Sequence, residues 1–417
     1  MDGTGSANAP KRTRELRGIV IGAGPAGLAL GRALTDAGVD VLCVDPLADA
    51  PWRTTWGLWN DEVNDLGLQG CVVACAAAPS VRMTDTERIV LKRGYSVLDP
   101  ERLRQHLAPR APERFELVRE RATVIGQDHV VTEGGAVHQA RFVVDCRGAT
   151  TTSCAQTAVG AFVRAEHETV LMDFSLEHDD EDPRPSFGYV VPVGGGRTLV
   201  EETSLCSAPP MARETLERRL GRRLAALHLT AEGTEREWVS IPLDVRALGP
   251  GAKFGVRGGA VHPATGYALA RMLADAPRVA DAIRSALERD ATPEQIARAA
   301  TGATWSVTTR LSHAAFRFGR DVLLQLDLAH LRGFFRSFFG LPEHDQRSFL
   351  TLSSPVQTVL RAMARMWLNL SWSLRRKILG TVGVNSGSWH ARADATERTE
   401  QGRYAIGTRA APQTGPR

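Results

Sequence analysis

Lysine is scarce in this chain: four of its 51 basic residues are Lys (Lys11, Lys92, Lys253 and Lys377). Together with the many Ala and Gly residues, that skew reflects genome composition. The formal net charge is +4 over 417 residues, which gives no argument for a nucleic-acid partner. The six cysteines (Cys43, Cys71, Cys75, Cys146, Cys154 and Cys206) form no CxxC pair and no secreted-type framework, so reduced thiols in a cytosolic protein are expected. No His/Cys/Asp cluster has metal-ligand spacing, so no metal is expected, and no GxSxG nucleophile motif occurs. No apolar run reaches about 18 residues, which excludes a membrane-spanning helix. What remains, 43% hydrophobic and 24% charged residues, is the composition of a globular protein with one large domain or two ordinary ones.

The first informative stretch is "RGIVIGAGPAGLALGRALTDAGVDVLCVDPL". Its basic start and apolar continuation mimic a signal peptide, but the glycine spacing and Arg32 argue against that. Gly18 to Ile21 reads as a buried strand, Pro25 to about Ala37 as a helix ending at Gly38, and "VDVLCVD" as a second strand. Gly22, Gly24 and Gly27 have the G-x-G-x-x-G spacing: one glycine for the turn, one for approach of a pyrophosphate, one for helix-on-sheet packing. The helix N-terminus supplies free N–H groups for the phosphates. Asp45, 21 residues after Gly24, is placed to accept hydrogen bonds from an adenosine ribose.

FAD rather than NAD is favoured by two later segments. "ARFVVDCRGAT" is an apolar strand followed by Asp145 and Gly148, similar to the second FAD-proximal segment of glutathione-reductase-like flavoproteins. "LDPERLRQHLAPRA" opens a helix whose Arg102 and Leu103 match a flavin-contacting R-x-x-L start; a solvated helix charge is the plain alternative for Arg102. A third segment, "FGVRGGAVHPATGYALARMLADAP", reads as strand, glycine turn and amphipathic helix. Gly259, Pro263 and Gly266 are its candidates for covering the pyrophosphate and the flavin edge. The acid of the usual "GD" pair is absent there, with Gly259 and Ala260 in its area.

The segments "PWRTTWGLWNDEVNDLGL", "YSVLDPERL", "VLMDF", "LVEETSL", "VHPATGYALA" and "FFRSFFGLP" occur in an order that resembles lycopene cyclases of the β type, from about residue 17 to 380. The family's "FLEET" stands here as "LVEET", with both carboxylates kept, and its "TYGVW" as "TWGLW". The resemblance implies an α/β, glutathione-reductase-like FAD-binding Rossmann fold with an inserted antiparallel substrate sheet and C-terminal helices. It also implies lycopene and γ-carotene as substrates, β-ring closure without net redox change, FAD active in its reduced form, and NAD(P)H as its electron source.

"SFGYVVPV", a "GGG" turn and "RTLVEETS" read as a hairpin. Side chains alternate along a strand, so Leu199, Glu201 and Thr203 share one face and Val200, Glu202 and Ser204 the other. Only one of the two acids can point into a given cavity. The resemblance implies the acid–base role for Glu201, with Glu202, also counted among the catalytic residues, as a partner behind it or on the opposite face. Trp52, Trp56, Trp59 and the four phenylalanines of "FFRSFFG" suit a polyene or a cation, with core packing as the alternative. His262 reads as a structural or flavin-neighbour histidine before a catalytic base.

The expected organisation is a polar tail over 1–16, one cyclase unit over 17–383 and a second polar tail over 384–417. Within the unit, the FAD core takes about 17–150 and 250–300, the substrate sheet 155–248 and the helical part 301–383. "VQTVLRAMARMWLNLSWSLRRKIL" (Val356 to Leu379) reads as a basic, Trp-bearing helix suited to a membrane surface, with packing on the protein's own core as the alternative. The expected location is cytoplasmic, peripheral on the inner face of the membrane. Competing readings are a flavin monooxygenase or prenyl reductase acting on a lipid, and a non-catalytic flavin-binding protein on a membrane.

Overall fold

The computed structural model describes residues 18–148, 152–178, 181–245, 247 and 249–380; the tails expected at 1–16 and 384–417 lie outside the described residues. The buried tetrad Gly18–Ile21 forms the middle of a five-stranded parallel sheet. The strand order is Ala252–Lys253, Val143–Asp145, Gly18–Ile21, Val41–Val44, Phe115–Val118. Such strands are covered on both faces, which is why they read as unbroken apolar runs. Val20, Cys43 and Val144 face helices Pro25–Asp36 and Leu269–Glu288. Ile19, Ile21 and Leu42 face the antiparallel strands of residues 122–139. Gly38, at φ +81°, takes the left-handed turn that ends the first helix.

A second sheet of seven strands runs Ala231–Pro242, Ala155–Val163, Arg197–Ser207, Phe187–Gly194, Val170–Asp173, Ser80–Arg82, Arg88–Val90. It is antiparallel apart from the pairing of Val170–Asp173 with Ser80–Arg82. The hairpin read from the sequence is present, and Gly194, Gly195 and Gly196 turn it at φ of +82°, +61° and +69°. Helix Arg213–Ala226 packs on one face of this sheet through Leu216, Leu220 and Leu224. The other face meets the C-terminal helices Val307–Leu323, Leu328–Phe339, Glu343–Leu350 and Val356–Asn369. A small antiparallel sheet of Trp56–Trp59, Tyr95–Leu98 and Val72–Ala76 lies at the junction.

Two local expectations are corrected. The strand before Gly258 is only Ala252–Lys253, because Gly255 at φ +65° starts a 3-10 turn over Gly255–Gly258. The Val356–Leu379 segment is two helices: the first ends at Asn369, Leu370 is extended (φ −69°, ψ 144°), and helix resumes at Trp372. Val359, Ala362, Met366, Leu374 and Ile378 are buried in the core, while Leu360, Leu368, Trp372 and Leu379 are exposed. One face of the segment thus packs on the protein's own core, and the other is exposed. Among the described residues no helix is long and apolar enough to cross a membrane.

Candidate active site

Strand Arg197–Ser207 is the centre of the site. Its alternation splits the acid pair. Val200 and Glu202 turn toward helix Arg213–Ala226, whereas Glu201, Thr203 and Leu205 line a cavity of about 470 Å³. Glu202 has no exposed surface and accepts from Arg223 Nε at 2.6 Å and Ser186 Oγ at 2.5 Å, with His178 Nε2 3.1 Å away. Burial opposes its charge, but Arg223 and His178 outweigh that and hold its carboxyl down to about 2. Gly188 leaves the room the guanidinium fills, since a Cβ there would lie 2.6 Å from Arg223 Cζ. Of the two places expected for Glu202, beside the acid or on the opposite face, the structure has the second, and its place among the catalytic residues is corrected. Glu202 is ionised, ion-paired and on the wrong face to give a proton to anything in the cavity.

Glu201 keeps 8% of its surface exposed, toward the cavity, and no hydrogen bond to its carboxyl occurs among the described residues. Burial first, and then the charge of Glu237, push its carboxyl up to about 8. The strand register explains the pairing. Gly160 lies opposite Glu201 on one side and opposite Glu237 on the other, so the two acids flank a residue without a side chain on one sheet face. A Cβ at Gly160 would lie 2.9 Å from Glu201 Cγ. Glu237 accepts from Thr55 N at 2.7 Å and Thr55 Oγ1 at 2.8 Å.

The rest of the cavity wall is mostly apolar and aromatic, with Glu62, Asp65 and Arg271 among its charged lining residues. Trp56, Trp59, Tyr95, Tyr189 and Tyr267 line it from one side, and Phe334, Phe335, Phe338 and Phe339 from the C-terminal helices. Trp59 and Tyr95 pack edge to face at 5.2 Å, and Tyr189 donates to Tyr95 Oη at 3.3 Å. Trp52 instead packs against Trp56 beside the nucleotide-fold core. His262 is fully buried, lies 2.8 Å from the Phe349 carbonyl through Nε2 and accepts from Ala264 N through Nδ1. Burial lowers it to about 4, so it is a neutral histidine that ties the "HPATGY" turn to the helical part.

The glycine motif adjoins the C-terminal edge of the parallel sheet. Helix Pro25–Asp36 has no side-chain cap, so its first-turn N–H groups are free for an anion. A Cβ on Gly24 would project into open space, while one on Gly27 would overlap the Gly22 carbonyl. The oxygens of Asp45 accept from Ala23 N at 2.6 Å and Leu47 N at 2.7 Å, which leaves each a lone pair for a ribose hydroxyl. These features fit the dinucleotide half of FAD. Arg102 is exposed on the helix capped by Asp99, and its guanidinium makes no hydrogen bond or ion pair among the described residues.

Two other expected cofactor residues, Leu103 and Asp145, lie behind the surface. Leu103 has no exposed surface; it seats its helix in the core and cannot itself touch a ligand. Asp145 is 2% exposed and bonds Arg147 and, at 3.2 Å, Arg257 Nε; these overcome its burial and hold it below the ordinary carboxylate range. Its partners, not its own carboxylate, reach the surface. Gly148 is exposed next to Arg147. Gly259 takes φ +77° at the end of the 3-10 turn, Pro263 is buried, and Gly266 at φ +74° lines the cavity where a Cβ would overlap Gln156.

Glu237, Thr55 and Gly160 were not singled out in the sequence. A signal existed for the first: in "EREWVSIP" Glu237 has the parity of Val239 and Ile241, and both of those line the cavity. Arg223 was also legible, because it occupies an apolar-stripe position with Leu216 and Leu220.

Fold and site together define the class. A five-stranded parallel sheet with an open glycine turn, joined to an antiparallel sheet that bears the cavity, is an FAD-binding Rossmann-type fold. A geranylgeranyl bacteriochlorophyll reductase-like protein from Thermoplasma acidophilum superimposes with a TM-score of 0.66 at 15% identity, covering 88% of this chain and 98% of that one. The pqsL protein of Pseudomonas aeruginosa, a probable FAD-dependent monooxygenase, gives 0.53 at 17% identity, over 75% and 96%. Within that class, the family model for lycopene cyclase protein matches residues 18–369. The lycopene beta cyclase of Synechococcus elongatus is 30% identical over 400 residues, covering 85% of this chain and 95% of its own. The chain belongs to the lycopene cyclase family.

Proposed function

We propose that the protein is a lycopene β-cyclase, closing the linear ends of lycopene and γ-carotene into β rings without net oxidation or reduction. The observation that carries this reading is Glu201, a carboxyl kept neutral in an apolar, aromatic-lined cavity next to the nucleotide fold. Protonating an alkene requires a neutral acid, and a dry site is what keeps a carboxyl neutral near pH 7.

Glu201 gives its proton to C2 of the substrate end, leaving a tertiary cation at C1. The C5=C6 double bond attacks C1, which moves the cation to C5. Loss of the C6 proton, returned to Glu201, forms the β ring and restores the acid, so protons and electrons balance. The Trp, Tyr and Phe side chains keep water from the cation and offer it their ring faces. Gly22, Gly24, Gly27, Asp45 and Arg102 would hold reduced FAD, which would supply a fixed negative charge. NAD(P)H is the proposed source of its electrons.

The substrate dissolves in bilayers, and the exposed residues Leu360, Leu368, Trp372 and Leu379, with Arg361 and Arg376 nearby in sequence, support peripheral docking on the cytoplasmic membrane face. The test is expression in a lycopene-accumulating host, with pigments read by chromatography and mass. Cyclised carotene of unchanged mass is expected. A gain of two hydrogens per event would mean a reductase, a gain of oxygen a monooxygenase, and unaltered lycopene would sink the reading.

A further inference from the structure

We infer that Glu237 is a positioning residue for Glu201: its carboxylate, one strand removed across Gly160 and anchored by Thr55, keeps the neighbouring carboxyl protonated until an alkene arrives. The inference rests on the acid role proposed above for Glu201. Three features of the fold carry it. The register sets both acids opposite Gly160, on one face of the sheet and with no side chain between them. Both are buried, at 8% and 7% exposure. Their hydrogen bonding is unequal, because Glu237 accepts an N–H and an O–H from Thr55 while Glu201 accepts none among the described residues.

Two carboxyls sharing a dry site cannot both ionise, and the charge settles on the one with donors. That one is Glu237. The proton is then left on Glu201, the member of the pair that lines the cavity. Glu237 does not need to touch the substrate; it acts through the charge it places behind the acid.

The other titratable groups around Glu201 leave this pairing in control. Tyr189 is in register with it on the next strand, and Tyr95 and Tyr267 lie beyond. Burial raises all three phenols, so they stay neutral. His262 is neutral through burial. Of the charged groups at the cavity edge, Glu62 faces Arg93 and Arg271 pairs with Asp275. Glu235, on the strand of Glu237, is exposed and 3.9 Å from Arg53. Glu202, Arg223 and His178 lie on the opposite face of the sheet.

The test compares wild type with Glu237→Gln as FAD-loaded protein. The Glu201 carboxyl is titrated by infrared difference spectroscopy, its band identified by loss in Glu201→Gln, and cyclisation rate is followed against pH. In Glu237→Gln both the titration midpoint and the alkaline limb of the rate profile should move down by roughly one pH unit. Glu237→Asp, which keeps the charge, should restore them. Thr55→Val, which removes one donor to Glu237, should move them in the same direction as Glu237→Gln and serves if that variant fails to fold. A wild type that cyclises, with variants that lose rate equally at every pH and leave the Glu201 titration in place, would overturn this inference alone. A wild type that does not cyclise would overturn the functional reading instead.

Discussion

Glu201 and Glu202 are consecutive in the chain yet lie on opposite faces of one sheet, the first in a mostly apolar cavity with no hydrogen bond to its carboxyl among the described residues, the second 2.6 Å from Arg223. The same residue type at adjacent positions thus has opposite chemistry. Burial acts on both carboxyls in the same direction; what separates them is the partner. A cation and two further donors stabilise the charged form of Glu202, whereas Glu201 meets another acid. A pair of carboxyls pushed apart in this way defines which is the acid and which is structure.

Replacing Glu201 by Gln should lower cyclisation by about 10²–10⁴-fold, the range that general acid–base groups contribute. Flavin absorbance of the purified variant should be unchanged, since Glu201 lies on the substrate-side strand. A variant that cyclises at the wild-type rate excludes Glu201 as the proton donor.

The same substitution should stabilise the protein at alkaline pH. The folded carboxyl is raised from 4.5 to about 8, so its favourable contribution is complete below 4.5 and is lost as pH rises toward 8. Glutamine does not titrate. Denaturant unfolding of wild type and Glu201→Gln should therefore give a difference that grows between about pH 5 and pH 8, reaching a few kcal/mol. A constant difference would mean that Glu201 is not held neutral by the fold.

Arg223→Met should cost about 3–5 kcal/mol, because it strands Glu202 and Asp173 without their buried counter-charge. The double variant with Glu202→Gln should recover part of that loss. Glu202 has the opposite linkage sign to Glu201. Its folded carboxyl lies at about 2, so its contribution is present above 4.5 and disappears as pH falls toward 2. Unfolding midpoints at neutral and acid pH check both statements.

The glycines of the nucleotide turn should separate binding from folding. A Cβ at Gly24 meets no protein atom within 4 Å, so Gly24→Val should give a folded protein that has lost its flavin absorbance. Gly27→Val overlaps the Gly22 carbonyl and should lower soluble yield and thermal stability as well. If Gly24→Val retains FAD, the pyrophosphate does not lie over that turn.

Sedimentation with liposomes should test the exposed apolar residues of the last helices. Leu368→Ser and Trp372→Ala each remove a side chain about 70% exposed from the protein without touching its core. Each should weaken partitioning by on the order of tenfold, from the transfer free energy of one large apolar group. Unchanged sedimentation would locate membrane contact elsewhere.

By itself the sequence determined what depends on neighbours along the chain. The glycine spacing, the terminal acid Asp45, the strand–helix–strand order and the "GGG" hairpin are local signals, and the elements appear where their periodicity put them. Period-two alternation also settled that Glu201 and Glu202 face opposite ways. Tertiary structure decided everything that needed a second strand or helix. Which face is the cavity follows from where Arg213–Ala226 packs and where the phenylalanines of Leu328–Phe339 arrive. That Gly160 brings Glu237 beside Glu201 follows from strand register. Proton affinity is set by burial and by the charges around a carboxyl, and residues 36 apart in the chain come to flank one glycine only when the sheet has formed.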